Sequence, residues 1–316
     1  MYFASSDIAY VATVYTLSLF GFTANCFLLL LIIYRSPKNL SSYRIFLANT
    51  TITHLLSDVV FVMICPRLLS APGFWLIVVY LGPVQFFPPF YSYMLYSTML
   101  HLTLNSSISW MISMIYRGLV LQHFKIGTKV AVLFCIAGYV VPLSMLATSV
   151  SIETSTNATE ADVLTQYSVP NMTLYSLVVT CNMLQPQTLY LVFCSLVLQL
   201  PIYLTMYVCR WKTHSRLSSI QSLHTRQQVR QLVQALTAQS LVPVFSIFPP
   251  ATVYLLIQFG LLDLHLLGYL LVPCLSIGPL VDPMITIYYV HPFRMFLKRI
   301  VPSKRQILTL LAVFRI

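Results

Sequence analysis

The stretch Pro279–Arg294, PLVDPMITIYYVHPFR, decides how the chain is read. It places an acid, Asp282, and a proline, Pro283, inside a long apolar run that leaves through two tyrosines into a basic cluster. A carboxylate at the centre of a membrane helix costs roughly 2.5–3.5 kcal/mol on insertion scales. A proline there removes a backbone donor and loosens the helix. A segment carrying both, close to its charged end, reads as the inner end of a membrane helix with a function beyond anchoring.

Composition extends that reading to the whole chain. Of 316 residues, 58% are hydrophobic and only 8% charged, whereas a soluble domain holds about 25% charged residues. The chain is therefore expected to be a polytopic membrane protein. The residues before Ile8 carry no Lys or Arg, and the run Ile8–Tyr34 is too long for the core of a cleaved signal, so it is expected to remain as an anchor. Seven cysteines at scattered spacings give no metal or disulfide pattern.

Seven apolar runs reach spanning length, about 20 residues. They are Ile8–Tyr34, Ile45–Cys65, Pro88–Arg117, Lys129–Val150, Gln187–Cys209, Gln231–Phe259 and Leu264–Val290. A further piece, Phe74–Phe87, is broken by Gly82 and Pro83 and is too short to span; it is read as an interfacial loop on the outer side. With the N-terminus outside, every Lys and Arg except Arg67 falls in an inner loop or in the tail, and no acid does. Basic residues are retained on the cytoplasmic side, which fixes this orientation as the expectation. It also assigns the net charge of +11 to topology and to anionic lipid rather than to nucleic acid. The sequons at Asn157 and Asn171 fall in the longest outer loop and are the expected glycosylation sites. Residues 1–290 then form one seven-span domain, and residues 291–316 a cytoplasmic tail. There, Phe293, Phe296, Leu297 and Ile300 share a face suited to an amphipathic helix on the membrane surface.

Three intramembrane polar groups lie at overlapping depths: Asn25 in the first span, Asp58 in the second and Asp282 in the seventh. A shared network would satisfy them while permitting two packings; separate local bonding is the alternative. Pro243, Pro249 and Pro250 punctuate the sixth span as a hinge or as a static kink. His54 and Asp58, four residues apart, share a helix face. No third ligand, nucleophile or Gly-rich phosphate loop accompanies them, so a local His–Asp contact is expected rather than an enzyme or a metal site. No cofactor is implied.

The sixth span reads QALTAQSLVPVFSIFPP, with Gln239 four residues before Pro243; the third ends in SMIYRGLVL; the first inner loop reads YRSPKNLSSYRIFLAN. With PLVDPMITIYYVHPFR these resemble, in order along the whole chain, the nematode chemosensory serpentine receptors, class delta nearest. More distantly they resemble rhodopsin-like G-protein-coupled receptors. Asn25, Asp58, Arg117 and Asp282-Pro283 match the polar positions of the first, second, third and seventh spans. Ile115 departs from the acid expected before Tyr116-Arg117, and Thr286 from the tyrosine expected after Pro283. The third span begins with no cysteine, so the family's usual disulfide is missing; Cys65 and Cys181 are the thiols left at the outer ends, bonded or free.

The resemblance implies an all-α seven-helix receptor of the plasma membrane, in a sensory cilium. It would bind a small-molecule odorant or similar cue between the outer halves of its helices and signal through a heterotrimeric G protein at Tyr116 and Arg117. Candidates for the ligand site, chosen for polarity and depth, are Tyr93, Tyr96, His101, Gln185 and Tyr254. A ligand-gated channel or small-solute transporter is the alternative, with Asp58 and Asp282 lining a path; the absence of internal repeats and of filter-like segments weakens it.

Overall fold

The computed structural model describes residues 5–35, 41–71, 75–120, 126–151, 178–182, 184–217, 223–258 and 268–300. The first span is the helix Ser5–Arg35, the second Ser41–Ile64, the third Pro89–Val120 and the seventh Leu271–Tyr289. The other three are interrupted. The fourth is Thr128–Gly138 followed by Val140–Ser149. The fifth runs Pro186–Val192, then a π turn Phe193–Val197, then Gln199–Leu217. The sixth is Leu223–Ser246 followed by Phe248–Gln258. Prolines explain these breaks. Pro142, Pro201, Pro249 and Pro250 lack the N–H that would bond the carbonyl four residues back, and each lies just beyond an interruption. A helix His291–Ile300 follows the seventh span, and Phe293 from it is buried among Leu28, Leu31, Tyr43 and Ile287.

Among the described residues, six helical stretches are long and apolar enough to cross a membrane. The third span is not among them, and the reason is its position. It packs against the second, fourth and fifth spans, and its Asn105, Ser106, Ser107, Ser109, Ser113 and Arg117 are all buried. A helix hidden inside a bundle can carry polar groups that a helix facing hydrocarbon cannot. The first span, by contrast, exposes Leu19, Phe20 and Ile33.

One element departs from the sequence expectation. Residues 75–80, read as part of an interfacial loop, form a strand. β1 (Pro66–Ala71), β2 (Trp75–Tyr80) and β3 (Val178–Asn182) make an antiparallel sheet in that order, with Arg67 opposite Val79 and Leu76 opposite Cys181. The middle strand is completed by a partner from the far loop, which no local pattern announces. The chain enters β1 through Cys65 at φ 38°, a left-handed conformation rare outside glycine. Cys65 is buried and free, and the Cys181 side chain lies outside what the structure describes. The chain leaves β2 through Gly82, where a Cβ would stand 2.4 Å from the Met63 carbonyl oxygen. Only glycine fits that approach.

Side chains fasten the sheet to the helices. The Tyr10 hydroxyl donates to the Pro66 carbonyl at 2.7 Å. Asp7 Oδ1 accepts from Arg67 at 3.3 Å and from the Tyr269 hydroxyl at 2.7 Å, and the Arg67 guanidinium lies 4.3 Å from the Tyr269 ring centroid. The one basic residue set apart from the others thus has a buried acid as its counter-ion. Asn157 and Asn171 lie outside the described residues.

Candidate functional site: a capped cavity and a polar chain

Beneath the sheet, at the end of the bundle that carries the N-terminus, the third, fifth, sixth and seventh spans diverge around a cavity of about 100 Å³. Leu68 of β1 and Val78 of β2 close it from above; Leu191, Ile247 and Leu275 line it among other apolar groups. Of the expected ligand residues, Tyr93, Tyr96 and Tyr254 stand on its wall. His101 and Gln185 do not. The His101 ring, its centroid 6.5 Å from that of Tyr139, faces the fourth span, and Gln185 precedes the fifth. Polarity and depth selected these residues, but the azimuth around the helix decides what a side chain meets. The wall also carries polar groups not singled out from the sequence: Thr103, Thr188, Ser195 and Gln199.

The opposite end is different. Arg117, 5% exposed, donates from Nη1 to Gln239 Oε1 at 2.7 Å, and from Nη2 to the Tyr43 hydroxyl. Gln239 in turn donates from Nε2 to Asp282 Oδ1 at 3.0 Å and to Thr286 Oγ1 at 3.4 Å. His54 Nδ1 stands 3.8 Å from the other Asp282 oxygen, beyond hydrogen-bond range. One chain of polar contacts therefore joins the second, third, sixth and seventh spans. Tyr116 lies outside this chain and stacks on Tyr43, ring centroids 6.2 Å apart.

Of the three groups expected to share a network, Asn25 and Asp58 lie together beside Gly21, while Asp282 is bonded elsewhere. Asn25 donates to the Gly21 carbonyl at 2.9 Å and to the Pro279 carbonyl at 2.8 Å. The second bond has a covalent cause: Pro283 has no N–H for the carbonyl four residues before it, and Asn25 takes up that acceptor from another helix. Asp282 pairs through Gln239. Asp58 packs over Gly21, where a Cβ would come within 2.9 Å of both carboxylate oxygens, with the Asn25 side chain beside it. His54 approaches Asp282 rather than Asp58, so the expected local His–Asp contact gives way to an interhelical one. The second, third and fourth spans are knitted by Asn49, which donates to Ser109 Oγ at 2.8 Å and accepts from the Tyr139 hydroxyl at 3.1 Å, and by Asn105, which donates to Thr53 Oγ1 at 2.9 Å.

The break in the sixth span falls at Ile247, between Pro243 and Pro249, and the Ile247 N–H bonds the Pro243 carbonyl at 2.9 Å. Gln239, one turn before Pro243, is the residue that sequence reasoning quoted but did not place in the site. An amide in an apolar span was the available signal.

A bundle of this topology, with a broken sixth span and a cavity under an end sheet, has the rhodopsin architecture. The crystal structure of squid rhodopsin superposes with a TM-score of 0.66, covering 92% of this chain and 84% of that one at 14% sequence identity. The model of the family described as serpentine type 7TM GPCR chemoreceptor Srd matches residues 10–299. Two curated relatives from Caenorhabditis elegans are serpentine receptor class delta-33, 40% identical with 95% of this chain and 88% of the relative covered, and serpentine receptor class delta-32, 38% identical with 92% and 85% covered. The chain belongs to the Srd family of seven-transmembrane G-protein-coupled chemoreceptors, the nematode serpentine receptors. It is a multi-pass membrane protein of a receptor family, not of an enzyme family.

Proposed function

We propose that this chain is a plasma-membrane chemosensory receptor that binds a small neutral or weakly polar cue in the capped cavity and signals to a heterotrimeric G protein at the opposite end. The observation that carries this is the pairing of a largely apolar cavity at one end with the Arg117–Gln239 contact between the third and sixth spans at the other. In this reading the N-terminus is extracellular, as the confinement of basic residues to alternate loops and the tail requires. Asn157 and Asn171 then carry glycans. The helix His291–Ile300 lies along inner-leaflet lipid with Phe293 inward, and the tail follows it in the cytoplasm.

Tyr93, Tyr96 and Tyr254 contact the cue. Arg117 holds the resting arrangement through Gln239, doing the work that an acid at Ile115 does not do here. Asn25, Asp58, Asp282 and Pro283 supply the polar interior that two packings share. A cue that favours release of Gln239 lets the inner half of the sixth span swing about Pro243 and Pro249, opening a cleft for the G protein beside Tyr116. A charge-assisted hydrogen bond contributes about 1.5–3 kcal/mol, a size that ligand binding can offset. Membership in a chemoreceptor family supports a sensory cilium as the site of action.

The test is G-protein activation in cells expressing the full chain, over a panel of volatile and water-soluble odorants, with Arg117→Ala alongside. A response lost in that variant is the expected result. A ligand-driven response unchanged by both Arg117→Ala and Asp282→Ala refutes the mechanism, and a current that persists under Gα inhibition turns the reading to a channel.

A further inference from the structure

The cavity wall carries a signature of its ligand's chemistry. None of the described residues lining it is charged. An ammonium or carboxylate entering it would lose its hydration with no counter-ion among those residues in return. Its polar groups are few, and two of them are unsatisfied. Gln199 is 6% exposed, and its amide Nε2 has no hydrogen-bond partner among the described residues; the same is true of Ser195 Oγ. Both lie on the fifth span, four residues apart, and both border the cavity. The π turn Phe193–Val197, in which the Leu198 N–H reaches back to the Phe193 carbonyl, brings them to it. A π turn adds a residue to the helical repeat and re-aims the side chains on either side, a device frequent at functional sites. A buried amide donor left open is costly, and a ligand oxygen placed against it recovers that cost.

From this we infer that the ligand is an uncharged, mainly apolar molecule carrying an oxygen acceptor, a carbonyl or hydroxyl, that accepts from Gln199 Nε2 with Ser195 Oγ as its second partner. The inference rests on the chemoreceptor reading and narrows it to a chemical class. A site built to hydrogen-bond one group rejects analogues that lack it far more strongly than a purely apolar pocket does.

Full-length receptor in lipid nanodiscs is titrated with pentanone, pentanol, pentylamine, pentanoate and pentane, and binding is read as ligand-dependent thermal stabilisation. Pentanone and pentanol stabilise; protonated pentylamine and pentanoate do not. Gln199→Met weakens pentanone about tenfold, the size of one hydrogen bond, and leaves pentane binding equal or tighter, which shows that the variant keeps its cavity. If Gln199→Met does not fold, Gln199→Asn, whose amide is withdrawn by one methylene, carries the same prediction. Stabilisation by pentylamine or pentanoate matching that by pentanone overturns the assignment. So does unchanged pentanone affinity in the variant, or stabilisation by none of the probes. No G protein enters this measurement. A receptor that fails to couple therefore still reports here, and a coupled receptor that prefers pentylamine refutes the ligand class alone.

Discussion

The two ends of the bundle each bury a glutamine: Gln199 beside the cavity and Gln239 in the polar chain. Both are 6% exposed. Gln239 bonds to three partners on two other helices, Arg117 of the third span and Asp282 and Thr286 of the seventh, whereas the amide nitrogen of Gln199 has none among the described residues. Equal burial thus hides opposite energetics. A satisfied amide between charged groups holds helices together, and an unsatisfied one at a cavity is a standing cost that only a ligand removes.

Removing each glutamine breaks the comparison most sharply. Gln239→Leu leaves Arg117 and Asp282 buried without their shared partner and is expected to destabilise the receptor by about 2–3 kcal/mol. Gln199→Met deletes an unmet donor and is expected to leave stability within about 1 kcal/mol of the parent, or to raise it. Thermal unfolding of both variants in nanodiscs checks the pair, and equal losses would erase the distinction.

A finer test concerns the carbonyl that Pro283 leaves open. Asn25→Leu is expected to cost about 1 kcal/mol. In a Pro283→Ala background, where the seventh span can close its own bond to Pro279, the same change is expected to cost about half as much or less. A double-mutant cycle on unfolding free energies measures this, and additive effects would mean that Asn25 serves the helix junction in some other way. Smaller still is Gly21→Ala, which sets a methyl 2.9 Å from both Asp58 oxygens. It is expected to cost about 1 kcal/mol by overpacking, and Asp58→Ala should relieve most of that loss in the same assay.

The spans were legible because apolar runs of bilayer length admit few other readings, and the prolines of the sixth marked its break, while Pro142 and Pro201 beside the breaks in the fourth and fifth went unread. The hairpin was not. β2 is short, it ends at Gly82-Pro83, and its second neighbour, β3, comes from a loop far along the chain. The polar residues were legible as types, since amides and acids in hydrocarbon ask for partners. Their pairing was not, because it depends on how each helix is rotated. His54 and Asp58 share a face by spacing, yet His54 lies nearest Asp282. Tyr93 and His101 both lie on the third span, yet one meets the cavity and the other meets Tyr139. Gln199 was passed over for the same reason: nothing local tells which way a residue beside a π turn points.

The seam between the first and seventh spans has a further consequence. Asp7 with Tyr269 just before the seventh span, Asn25 with the Pro279 carbonyl within it, and Arg35 stacked 4.5 Å from the Phe296 ring centroid on the helix after it fasten the first helix along its length. The helices thus form a ring whose closure is non-covalent, so that no single loop is needed to keep it whole. A receptor made as two co-expressed fragments, divided between Leu217 and Leu223, retains the 1–7 seam together with the Arg117–Gln239 and His54–Asp282 contacts across the cut. The halves are expected to reassemble in the membrane and to co-purify. Such a split chain turns the ring into a sensor of its own integrity, since a tag on each fragment reports directly on whether the helices have come together.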